Sequence, residues 1–152
     1  MTQLTLAEFR DRTVMPASMV DELSSLAPGW IENQITMTEA WIYSRLRKRY
    51  ATPFADPVPE TFRAWVVAVV TVKAFQRMGV DPRDPQFETI AADRKMALDE
   101  IKEAADSKDG LFDLPVRQDT QSTGISQGAP LAYSEPTAYD WLDVQAGRLT
   151  GV

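Results

Sequence analysis

Ile31, Ile35, Thr38, Ile42 and Leu46 recur at intervals of four, three, four and four residues, which is one face of a 3.6-residue period, and the spacing predicts a long helix over about 30–50. Trp30, Met37 and Trp41 form a second stripe beside that face, so the apolar sector is wide enough to meet more than one neighbour. Two shorter helices precede it. Thr5-Leu6-Ala7-Glu8 has the form of a capping box, in which hydroxyl and carboxylate satisfy each other's orphan amides, and predicts a helix to about Arg12. Pro16 and Ser18 open a second, through Val20, Leu23 and Leu26, that Pro28-Gly29 ends. The prolines at 53, 57 and 59 forbid continuation of the long helix and predict an extended crossing loop.

The stretch 59–79 contains the β-branched run 65–72, which taken alone reads as a buried strand. Its length, Pro59 at the start and Gly79 just past the end favour a helix. Phe62, Trp65, Val66, Val69, Val70 and Phe75 point all round the wheel, as in a central buried helix. A turn at 81–85 leads to a last helix over about 86–107, whose stripe is Phe87, Ile90, the Arg94 stem, Ala97, Leu98, Ile101 and Ala105. Gly110 closes it, and Leu111-Phe112-Asp113-Leu114-Pro115 reads as an apolar clasp returning to the bundle. The fold expected is therefore all-α, a small helical bundle of two short and three long helices over 1–115. An extended C-terminal arm over 116–152 is rich in Gln, Ser, Thr and Gly, yet it carries Tyr133, Tyr139, Trp141, Leu142, Val144 and Leu149. Those are too many large apolar groups for a solvated linker, and the arm is expected to order on a partner.

Composition then narrows the chemistry. The 152 residues include no Cys and no His, which excludes disulfides, thiol or imidazole catalysis and their metal sites. The net charge is -6, against the basic face that wraps nucleic acid. The first residues lack a signal-peptide pattern, and the longest apolar run falls far short of the roughly 20 residues of a membrane span, so an intracellular protein with no membrane association is expected. Phosphate loops and nucleophile elbows are absent. No enzyme and no cofactor is expected.

Three clusters remain. Arg45, Arg47, Lys48 and Arg49 are candidates for contact with an acidic partner or DNA phosphate, but they wrap around the helix rather than forming a stripe. A helix end complementing its dipole is the simpler reading. Asp99, Glu100, Glu103 and Asp106, interspersed with Lys102 and Lys108, read as a solvated face before a metal or acid–base site. Trp30, Trp41 and Trp65 read as core, whereas Trp141, in the irregular arm, reads as an interface residue.

The run Ile42-Tyr43-Ser44-Arg45-Leu46-Arg47-Lys48-Arg49-Tyr50-Ala51-Thr52-Pro53-Phe54, followed by Val58-Pro59 and a long apolar helix, resembles the head-to-tail connector adaptors, or head-completion proteins, of tailed double-stranded DNA phages. Gly110-Leu111-Phe112-Asp113-Leu114-Pro115 is similar to the closing segment of that family, and the resemblance spans about residues 1–115. It implies a helical bundle forming a ring, typically of about twelve copies, beneath the portal. The ring would extend the DNA channel in the virion neck and join the portal to a tail-side stopper or terminator protein. The duplex would pass through its lumen without sequence-specific binding. The resemblance also implies assembly in the host cytoplasm and an arm that docks on the portal, with the next subunit and the tail-side protein as other partners. The alternative is a small helical DNA-binding protein such as a terminase small subunit. That would need a helix-turn-helix, and the proline-rich loop after Arg49 is too long for its tight turn.

Overall fold

The computed structural model describes residues 2–81, 83–107, 110, 111 and 113–117, without the Gln86 side chain. Five helices follow in chain order: α1 (Leu6–Arg12), α2 (Ala17–Leu26), α3 (Trp30–Leu46), α4 (Glu60–Arg77) and α5 (Pro85–Asp106). There is no strand among the described residues, only an isolated bridge between Tyr50 and Val116. The fold is all-α.

Each helix begins where the chain chemistry allows. Thr5 caps α1 through the expected box, its hydroxyl accepting from the Glu8 amide at 3.3 Å while Glu8 accepts from the Thr5 amide at 2.9 Å. Prolines precede α2 and α4, where a missing amide hydrogen costs nothing. Gly79 follows α4 with φ +75°, a left-handed turn that a Cβ would strain.

Helix α4 is the axis of the bundle, packing on α1, α3 and α5. Phe62, Trp65, Val66, Val70 and Ala74 are buried on it, and so is the β-branched face of Val67, Val69 and Val72. Burial on every side is what lets β-branched residues sit in a helix, because packing gain outweighs their modest propensity penalty. Trp65 is 1% exposed, and its indole N–H donates to Glu100 on α5 at 2.6 Å. Tyr43, Phe54 and Phe62 form a ring cluster where α3, the proline loop and α4 converge.

Three expectations are corrected. Helix α3 stops at Leu46 rather than near Tyr50, because residues 47–49 form a turn and Tyr50 leaves to bridge Val116. The stripe of Met37 and Trp41 faces outward, 63% and 38% exposed, so Trp41 is not core; Trp30 alone of that stripe packs against the core. Residues 116 and 117, assigned to the arm, pair with the bundle: Ala51 donates to the Pro115 carbonyl at 2.9 Å and Arg117 to that of Arg49 at 3.1 Å.

Candidate functional site

The C-terminal end of α3 and the facing stretch of α5 gather most of the unspent chemistry. Trp41, Arg45, Leu98, Lys102, Ala105 and Asp106 line a groove of about 210 Å³ between the two helices, floored by Ile101. Helical spacing explains its α3 wall, since Trp41 and Arg45 are four residues apart and share a face. The Arg45 guanidinium lies 5.8 Å from the centroid of the Trp41 ring, a cation–π distance. Neither Arg45 nor Lys102 forms an ion pair among the described residues; those present join Arg10 to Asp21, Arg12 to Glu60 and Arg63 to Glu8.

The four-cation cluster does not act as one patch. Arg45 turns to the indole, and Arg49 reaches α5, its Nη1 donating to the Ala104 carbonyl at 3.4 Å. Arg47 and Lys48 stay exposed in the turn, and the Arg47 carbonyl accepts from Arg117 at 3.1 Å. The carboxylates also separate. Asp99, Glu103 and Asp106 lie on the exposed face of α5, while Glu100 is the acceptor for Trp65. No cluster of three metal-ligating side chains occurs among the described residues.

Tyr50 organises a latch beside the groove. Its hydroxyl accepts the Leu111 amide at 2.8 Å, and Leu114 is buried beneath. Gly110, at φ +68°, lies so close that a Cβ there would sit 2.5 Å from the Tyr50 hydroxyl and 2.7 Å from Arg49 Nη1.

Three polar groups, two buried and one half-buried, carry little sequence signal. Glu39 is 3% exposed and accepts the amides of Gln3 and Leu4, each at 2.8 Å, pinning the chain start to α3. Burial pushes its carboxyl above the ordinary value despite those donors. The Tyr43 hydroxyl is buried, and burial, with the Glu39 charge, pushes it up to about 12. Lys73 donates to Thr38 at 3.2 Å, its ammonium weakened by burial and then by the like charge of Arg94. Only the local run Glu39 after Thr38, a charge at the edge of an apolar stripe, hinted at any of them.

A second hollow of about 320 Å³ opens between α4, α5 and the segment after α1, lined by Val14, Ala64, Val67, Ala68 and Ile90. Its cation, Arg12, is already joined to Glu60. The arm residues Tyr133, Tyr139, Trp141, Leu142, Val144 and Leu149 lie outside the described residues. No helix among those described is long and apolar enough to cross a membrane.

No family model, curated protein or solved structure matches this chain. The groove offers an indole, two cations and an apolar floor, which is chemistry for binding.

Proposed function

We propose that this chain is a structural head-to-tail adaptor of a tailed double-stranded DNA phage, a ring under the portal that extends the DNA channel and links the capsid vertex to the tail. The observation that carries the reading is the latch. The Arg49-Tyr50 stretch and the Gly110-Leu111 stretch, the two parts of the sequence that resemble that family, fold onto one another across 61 residues through the Tyr50 hydroxyl. Ala51 and Tyr50 then pair with Pro115 and Val116, so the separated motifs form one structural unit. The exposed stripe of Met37 and Trp41 supplies a lateral surface of the kind that subunits in a ring bury.

The net charge of -6 suits a conduit through which a duplex must slide. The DNA-binding alternative draws on the exposed Arg45, Arg47 and Lys48, but residues 47–59 form no helix-turn-helix turn. The deciding measurement is the native mass of the full chain, alone and mixed with the portal of the same particle. A ring or a portal complex is expected, and a chain monomeric in both overturns the adaptor. Tight duplex binding at low salt would favour the alternative.

A further inference from the structure

The groove between α3 and α5 is cationic on an acidic chain. Arg45 and Lys102 flank a Trp41 ring that is 38% exposed, with one carboxylate, Asp106, at the same groove, and neither cation is neutralised by an ion pair among the described residues. An occupant must therefore combine carboxylates with flat or branched apolar side chains. The chain itself carries such a segment. Tyr139-Asp140-Trp141-Leu142-Asp143-Val144 interleaves two carboxylates with four large apolar residues, and no Lys or Arg occurs from 118 to 147.

We propose that the α3/α5 groove of one copy takes the 139–144 segment of a neighbouring copy, its apolar side chains on Trp41, Leu98 and Ala105 and its carboxylates on Arg45 and Lys102. The assignment to a neighbour rests on the ring reading. Reach is sufficient: residues 118–138 span up to about 70 Å when extended, roughly twice the length of α5. The larger hollow beside α1 lacks this complementarity, because Arg12 is held by Glu60.

The test uses full-length chains. A tail-reversed chain, Asp140→Lys with Asp143→Lys, has a native groove and a segment that no longer fits it. A labelled peptide of residues 134–147 should bind this chain saturably, at least tenfold more weakly once Arg45→Glu and Lys102→Glu are added, and more weakly as salt shortens the screening length. No saturable binding, or binding indifferent to the groove reversal, overturns the proposal. Sedimentation then identifies the source of the segment. The tail-reversed chain and a groove-reversed chain should each lose mass relative to wild type, and mixing the two should restore it. Restoration only when both reversals share one chain would place the segment in its own groove and overturn the neighbour. If both reversed chains assemble like wild type, the proposal fails while the ring stands. A wild type monomeric at every concentration overturns the ring and the neighbour together, with the peptide titration still reporting on the groove.

Discussion

Trp65 combines the largest buried side chain of the core with a polar tip that must be satisfied, and Glu100 satisfies it at 2.6 Å. Trp65→Ala should cost about 3–5 kcal/mol by urea denaturation, from lost burial plus the cavity left between α4 and α5. A loss under about 1 kcal/mol would show that this residue is not central. Gly110 and Gly79 give a matched pair. Both have positive φ, so Ala at either should cost about 1–2 kcal/mol of backbone strain. At Gly79 the added methyl meets open space, whereas at Gly110 it meets the Tyr50 hydroxyl, so Gly110→Ala should be the more damaging. Equal losses would mean the latch yields freely. Glu39 sets a pH dependence of unusual sign. Its folded-state value is raised above 4.5, so the folded chain takes the proton more readily than the unfolded one. Wild type should gain stability relative to Glu39→Gln as pH falls through that raised value, with the gain complete below 4.5. Glu8 and Glu60 run the other way. Thr5 hydrogen bonds lower the first and Arg12 lowers the second, so what they contribute is present above the ordinary value and lost in acid. Urea titrations of both chains at about pH 7 and about pH 4 check the sign.

At the scale of elements, all five helices were legible from periodicity, caps and breakers, to within a residue or two except at the end of α3. That end was obscured because Arg47, Lys48 and Arg49 have good helix propensity, and nothing local shows that Tyr50 has a bridging partner 66 residues away. The same bridge yields a prediction about truncation. At a dilution where both are dissociated, a chain ending at Arg117 should retain the thermal midpoint of the full protein. One ending at Pro115 should melt a few degrees lower, having lost the Tyr50–Val116 pairing and the Arg117 bonds to Arg47 and Arg49. Equal midpoints would show that buried Leu114 and the bonds of Leu111 and Pro115 hold the closing segment without residues 116 and 117.

For the whole molecule, the outward stripe decides between a self-contained bundle and a subunit. Met37→Glu lies in solvent, so it should leave the unfolding free energy of the dissociated subunit within about 0.5 kcal/mol of wild type while lowering the native mass of the proposed ring. A changed free energy with unchanged mass would place Met37 in folding rather than assembly. The sequence by itself determined the all-α class, the helix order and the exclusion of thiol and imidazole chemistry, because each depends on local propensity or on which side chains exist at all. Tertiary structure alone decided which apolar stripe is core. Trp41 and Trp65 both sit on apolar helical faces, but only Trp65 lies on the helix that its neighbours surround. It alone also decided that Arg45 would stand with Lys102 across a groove, and that Glu39 would be buried to hold the chain start. Periodicity specifies a face and leaves its neighbour open, and the environment of a charge depends on residues far away along the chain.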